Sequence, residues 1–274
     1  MEANHVTAVA EAFSRKASLY DAFGADHPNL MHMRQKVRRH ALLFLRPGTR
    51  ILELNAGTGV DAVFFAELGY RVHATDISPG MMAEIHQKIA GLGLKDRLTA
   101  QRCSFEALDL VEGGPYDYVF SNMGGMNCSS DLNQVAQGVN KVLLPGGRVT
   151  WVVMPPICLW ELTQALHGDF RTATRRLRRG GILANVEGVQ FLTRYFTPKQ
   201  VCNAFGKGFR KLRLEGLSVI TPPADHKAFP VHHPRLYHIL RILDDWVAGR
   251  YPFNRWGDFY ILTLEKTRIP DLEA

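Results

Sequence analysis

The chain has 274 residues, 46% of them hydrophobic and 10% aromatic, with a formal net charge of +7. That composition argues against a disordered, fibrous or disulfide-framework protein and suits one core of roughly 150–200 residues carrying one or two insertions. The longest apolar run, Trp151 to Trp160, is cut by Pro155 and Pro156 and falls short of the ~20 residues that a membrane-spanning helix needs. Met1-Glu2-Ala3-Asn4-His5 has neither a basic region nor an apolar stretch, so secretion is not expected. Cys103, Cys128, Cys158 and Cys202 show no CxxC or Cys/His zinc spacing. Reduced thiols, a cytoplasmic protein and no metal site are expected. The excess positive charge is local, at Arg34–Arg39, Arg171–Arg179 and Lys207–Arg213. No aromatic residues interleave with the Arg171–Arg179 cluster, so nucleic acid is not the expected partner.

Residues 1–47 read as an N-terminal helical segment, helical over 5–46 with a break at Pro28. Phe13, Leu19, Phe23, Val37, Leu42 and Leu45 are its buried candidates. Pro47-Gly48 then breaks the chain. Strands over 50–54, 70–75, 98–102, 116–121 and 148–154 alternate with helices over 58–69, 79–90 and 131–143, the last stopped by Pro145-Gly146-Gly147. Ser78 is placed to cap the second of these helices, with Pro79 in its first turn. This rhythm predicts a parallel sheet covered on both faces over a core of 48–156. After Pro155-Pro156 it changes. Residues 159–179 read as one long helix or two short ones inside a first lid insertion, 157–196. A late core helix and strand follow over 197–221, the strand near 211–220. A second lid insertion, 222–257, holds a helix near 234–247, and 258–274 holds a final strand and tail. The hairpin-like return of two late strand patterns predicts a seven-stranded, mostly parallel sheet whose last strand is antiparallel.

The strongest chemical signal is Glu53-Leu54-Asn55-Ala56-Gly57-Thr58-Gly59, ending one strand and opening a helix. Gly57 and Gly59 permit a tight turn and close approach of backbone to a ligand. The free N–H groups of the helix start suit an anionic group. Seventeen residues after Gly59 stands Asp76, at the end of the second strand, where a carboxylate can accept both hydrogen bonds of a ribose diol. Together these features point to an adenosine-containing cofactor. Gly57-Thr58-Gly59-Val60-Asp61-Ala62 also fits a dinucleotide fingerprint, so an NAD(P)-dependent oxidoreductase is the alternative. Glu53 weighs against it, because a carboxylate there suits an ammonium and would repel a pyrophosphate. Asp61 occupies the turn where a pyrophosphate would rest.

Glu-x-x-x-Gly-x-Gly, Asp76 followed by Ile77-Ser78-Pro79-x-Met81, and Leu143-Leu144-Pro145-Gly146-Gly147-Arg148 as a set resemble class I, Rossmann-like methyltransferases that use S-adenosylmethionine (SAM). The similarity covers about residues 10–156 and is greatest to the small-molecule branch related to ubiquinone/menaquinone-biosynthesis enzymes. The resemblance implies SAM as cofactor and a small-molecule acceptor. It implies that Glu53 engages the methionine amine and that Gly57 and Gly59 pass the methionine–ribose region. Asp76 then binds the ribose hydroxyls, Ile77 packs on adenine, and Tyr20 closes over the cofactor. Ser121 and Asn122, with Met123, line the methyl side. Asn55, Ala56, Met81, Ser104 and Phe105 complete the implied cofactor set. Two departures from the family pattern stand out: Asn55 replaces the first glycine, and Ser104 replaces an aspartate that reaches the adenine amine. Asparagine tolerates left-handed backbone, so the turn is expected to survive.

His226, His232, His233 and Tyr195 are the candidate catalytic groups, and Tyr195, Trp160 and Phe191 the candidate apolar wall of the lids. Arg171, Arg175, Arg178 and Arg179 would share one helical face. That face is either a solvated surface or an attractor of anionic substrate or lipid headgroups, which makes peripheral membrane contact a further expectation. A non-catalytic SAM-binding protein is the remaining alternative. The acceptor's identity and the oligomeric state leave no signal in the sequence.

Overall fold

The computed structural model describes residues 2–268, so the expected tail at 269–274 lies outside the described residues. The chain opens with α1 (Glu2–Ala25) and α2 (Pro28–Leu42). Pro28 sits in the first turn of α2, and His27 caps it by accepting from the Leu30 N–H. The core then runs β1 (Arg50–Leu54), α3 (Val60–Glu67), β2 (Arg71–Asp76), α4 (Pro79–Gly91), β3 (Leu98–Arg102), β4 (Tyr116–Ser121), α5 (Leu132–Val142) and β5 (Leu143–Val153). Ser78 caps α4 through the Met81 N–H at 3.2 Å, with Pro79 in the first turn, as its sequence predicts. The run Pro145-Gly146-Gly147 does not stand between helix and strand as expected. α5 ends at Val142, and these residues form an irregular stretch of β5, where the register against β4 shifts between Tyr116 and Tyr118.

Seven strands form one sheet in the order β3-β2-β1-β4-β5-β9-β8, with β8 at Phe209–Leu217 and β9 at Phe259–Lys266. The first five pair in parallel, and β9 lies antiparallel between β5 and β8. This is the mixed sheet anticipated from the two late strand patterns. One face packs Leu132, Val135 and Val139 of α5 and Val201 and Phe205 of α8 (Pro198–Phe205) on Trp151 and Tyr260. The other packs Met33 and Val37 of α2, Phe65 of α3 and Ile85 of α4 on Phe120 and Ile261. A buried polar seam crosses the sheet: Tyr118 Oη donates to Thr150 Oγ1 at 2.6 Å, and the hydroxyls of Thr150 and Thr263 meet at 2.7 Å. His40 of α2 bonds Thr263 at 2.8 Å and also meets Glu215 of β8.

Three expectations are corrected. Leu19 and Phe23 are exposed, because α1 packs through Val9, Ala12 and Ala17 instead. Residues 159–179 do not form a long amphipathic helix. They break into α6 (Leu159–Leu162), a 3₁₀ turn, α7 (Phe170–Thr174) and a second 3₁₀ turn, with Gly168 left-handed at the break and Asp169 capping α7. The arginines therefore share no common face. Arg175 makes a two-pronged bond to Glu161, and Arg176 is buried, reaching Glu161 at 2.7 Å and Asp258 Oδ1 at 2.7 Å. The segment also contains a hairpin that its sequence did not suggest, β6 (Ile182–Val186) with β7 (Val189–Thr193). The helix expected near 234–247 is α10 (Pro234–Val247), preceded by the single turn α9 (Phe229–His232).

The Arg176 cluster ties the first insertion to the start of β9. Arg176→Met should cost about 3–5 kcal/mol, because Asp258 would be left buried without its partner. The double change Arg176→Met/Asp258→Leu should recover most of that loss. Urea unfolding of the two variants measures both.

Candidate cofactor site

The ends of β1, β2 and β4 meet at the carboxyl edge of the sheet, where open α/β sheets bind ligands. Three left-handed residues shape the β1–α3 turn: Asn55 (φ 47°), Gly57 (φ 58°) and Gly59 (φ 77°). The Gly57 N–H donates to Asp76 Oδ2 and the Ser78 N–H to Oδ1, both at 2.9 Å, so the turn and the β2 end hold one carboxylate between them. Asn55 does what a glycine there could not. Ser121 Oγ donates to its Oδ1 at 2.7 Å, and its Nδ2 donates to the Asn122 carbonyl at 3.2 Å, tying β1 to β4. Space for that amide comes from Gly125, where a Cβ would fall 2.1 Å from Asn55 Nδ2.

A cleft opens over this edge, where small-molecule sites of open α/β sheets are found. Tyr20, Asn55, Gly57, Asp76, Ile77, Met81, Ser104, Phe105 and Asn122 line it. Glu53, Ala56, Gly59 and Ser121 stand behind the lining. Ala56 donates its N–H to the Thr75 carbonyl, and a Cβ on Gly59 would press on Ile85 at 3.0 Å. Glu53 is 2% exposed, and its Oε2 has no protein partner. Burial pushes its carboxyl well above the usual range and Asp61 adds to this, while Arg34 and Arg38 pull it down. Asp61 itself is held by Arg38 at 2.7 Å, Arg34 at 3.6 Å and Asn122 Nδ2 at 2.8 Å. Burial also pushes Asp76 up to about 6, against the pull of its backbone N–H partners.

The wall facing the sheet is α1. His5, Val6, Val9, Phe13 and Tyr20 project from one side of it into the cleft. Apart from Tyr20, sequence reasoning did not assign them to the site, although their three- and four-residue spacing was a readable signal. Cys103, Glu106, Met123, Gly125 and Cys128 of the lining were also missed, as was Arg34, which acts on Glu53 from behind it. The Arg34 Nε is buried without a hydrogen-bond partner, whereas Oε1 of Glu106 accepts from Ser129 Oγ, Ser130 N–H and Ser130 Oγ. The candidate catalytic groups are elsewhere. His226 packs on Trp160, His232 and His233 are exposed at the head of α10, and the Tyr195 ring faces Arg176 at 5.3 Å. Neither 157–196 nor 222–257 lines the cleft, which corrects the placing of Tyr195, Trp160 and Phe191 as its wall. The hairpin acts through α1: Phe191 is buried on Val9 and Ala12, with Phe13 5.9 Å away.

What seats α1 is Gly80. Its N–H donates to Ser14 Oγ at 3.2 Å, Ser14 Oγ meets Ser78 Oγ at 2.8 Å, and a Cβ on Gly80 would fall 2.7 Å from the Ser14 carbonyl. Gly80→Val should therefore lift α1, at a cost of about 1–3 kcal/mol. Trypsin should then cut at Arg15 and Lys16 well before it cuts the native chain there. Equal resistance in the two proteins would show that α1 is seated by something else.

Residues 51–147 match the family described as methyltransferase domain. The chain is 31% identical over 114 residues to a protein-L-isoaspartate O-methyltransferase of Methylorubrum populi, covering 42% of this chain and 49% of that one. It is 29% identical over 158 residues to a malonyl-[acyl-carrier protein] O-methyltransferase of Pseudescherichia vulneris, covering 58% of each. The chain thus spans about half of the curated relatives it matches. Among solved structures it superposes on the 1,6-didemethyltoxoflavin-N1-methyltransferase of Burkholderia thailandensis with a TM-score of 0.58 and 17% identity, over 97% of this chain and 90% of that one. The NAD(P) oxidoreductase reading is not favoured, because the family match covers the glycine turn and Asp76 that had suggested it. Residues 51–147 thus match a methyltransferase domain, and the seven-stranded sheet is the one that the sequence resemblance to class I SAM-dependent methyltransferases implies.

Proposed function

We propose that the protein transfers the methyl group of SAM to a small-molecule acceptor by direct displacement. The observation that carries this reading is the buried, partnerless Glu53 Oε2 at the end of β1, beside a strand end where Asp76 is already oriented. Few ligands fit both an orphaned carboxylate and a ribose-binding one, and SAM offers an ammonium to the first and a diol to the second. Arg34 Nε, buried without a hydrogen bond and only loosely paired with Asp61 at 3.6 Å, is available to the methionine carboxylate. Ile77 and Phe105 offer apolar surface to the adenine, with Ser104 in place of the family's aspartate. Bound SAM supplies a methyl group made electrophilic by its sulfonium. The chain's own contribution is alignment and dryness: Val9, Phe13, Phe105 and Met123 exclude water, and Tyr20 covers the turn at Gly57.

In this reading segment 157–196 covers the site at one remove, by holding α1 down. A small-molecule acceptor is supported by the covered, largely apolar cleft and by the name of the Burkholderia relative. A cytoplasmic location is supported by four unpaired cysteines.

Incubating the pure protein and methyl-labelled SAM with size-fractionated cell extract should place label in the low-molecular-weight fraction. Label in protein alone would overturn the acceptor class, and calorimetry showing NADH but not SAM binding would overturn the cofactor. Glu53→Gln and Arg34→Ala should each weaken SAM binding by about 1.5–3 kcal/mol, the worth of a hydrogen bond to a charged group. Asp76 also confers a pH dependence. Its pKa of about 6 in the free protein means that it takes up a proton as pH falls through 6 and then loses part of its accepting capacity. SAM affinity should therefore decline from pH 7.5 to pH 5. Asp76→Asn should bind weakly at both pH values and lose most of that slope.

A further inference from the structure

The outward face of α10 is reversed from that of an ordinary surface helix. Its inner face is fully engaged: Tyr237 and Val247 are buried, and Asp244 accepts from the N–H groups of Val219 and Ile220 at 2.7 Å and pairs with Lys36 at 2.9 Å. Leu236, Ile239, Leu243 and Trp246, spaced i, i+3, i+7 and i+10, form a stripe on the opposite side with Ile242 beside it, all between 44% and 62% exposed. Solvent-facing helical positions are normally polar, and an apolar stripe of this kind marks a surface that something else covers.

The flanking charges say what covers it. In the basic clusters elsewhere several arginines are paired, as Arg38 is with Asp61, Arg176 with Asp258 and Arg213 with Glu215. Arg235, Arg250 and Arg255 have no carboxylate partner among the described residues. The Arg250 guanidinium lies over the Trp246 ring at 4.1 Å and that of Arg255 over Tyr251 at 4.9 Å, which holds cations at the rim of the apolar stripe. The one acid on the exposed edge of α10, Asp245, is taken by Lys36. A second copy of the chain fits poorly. Antiparallel pairing of two α10 helices would set Arg250 of one against the His232–Arg235 end of the other, cation on cation. A surface that is apolar below and anionic above satisfies both the stripe and its rim.

We infer that α10 docks this protein on an anionic lipid bilayer, its apolar stripe in the headgroup–acyl boundary and Arg235, Arg250 and Arg255 on lipid phosphates. The inference does not depend on the proposed methyl transfer.

Flotation with vesicles of phosphatidylglycerol and phosphatidylcholine, compared with phosphatidylcholine alone, tests it on the whole protein. The wild type should float with the anionic vesicles at 0.05 M salt, at least about tenfold more than with the neutral ones. That binding should fall as salt is raised. Arg235→Glu/Arg250→Glu and, separately, Ile239→Asp/Trp246→Glu should each lose at least about tenfold in vesicle binding. Both variants alter only exposed side chains, so their thermal melts and SAM affinity should match the wild type. Equal flotation with neutral vesicles, no flotation with either, or a dimer in light scattering that Ile239→Asp dissolves would overturn the inference.

Discussion

Two carboxylates buried at the ends of neighbouring strands, Glu53 on β1 and Asp76 on β2, set the terms for everything around them. A carboxylate taken out of water without full pairing is costly, and burial pushes both groups upward in pKa. The surroundings offset that cost unequally. Asp76 is met by two backbone N–H groups presented by the turn at Gly57 and the start of α4. Glu53 receives only the more distant fields of Arg34 and Arg38, both of which also serve Asp61. Asp76 is thus oriented in advance, and Glu53 is left needing a cation from outside the chain.

The same edge explains why the N-terminal helix belongs to the site. The carboxylates at the carboxyl ends of the strands stay open to water unless something apolar lies across them. α1 does so because Gly80 removes the one side chain that would block Ser14, and because Phe191 of the hairpin presses on it from the other side. The first insertion therefore reaches the cleft through α1 and through the Gly125–Cys128 turn, where Arg194 bonds the backbone and side chain of Asn127 and the Ser129 carbonyl. Two of its arginines, Arg175 and Arg176, which in sequence resemble part of an exposed basic helix, are taken by Glu161 and Asp258 in fastening that insertion to the sheet. Arg235, Arg250 and Arg255, which have no carboxylate partner among the described residues, stand by α10, whose outward face exposes Leu236, Ile239, Ile242, Leu243 and Trp246.

By itself the sequence determined the sheet and the turn. Alternating apolar strands and capped helices are local signals, so the first four strands and α4 fall within a residue or two of their expected positions. The two late strand patterns were enough to place β9 antiparallel beside β8. Gly57, Gly59 and Asp76 declared themselves because each answers a short-range backbone need. What only tertiary structure decided was long-range. His5, Val9 and Phe13 become cleft wall solely because α1 folds back across the strand ends, more than forty residues away in the chain. Asn55 is tolerated in place of glycine because Gly125, remote in sequence, leaves room for its amide. Arg176 is buried because Glu161 and Asp258 converge on it from two separate segments. Propensity and periodicity describe a residue's neighbours along the chain. Partners brought together by the closing of the fold leave no local trace, and the cover, the ion cluster and the reversed face of α10 are all made of such partners.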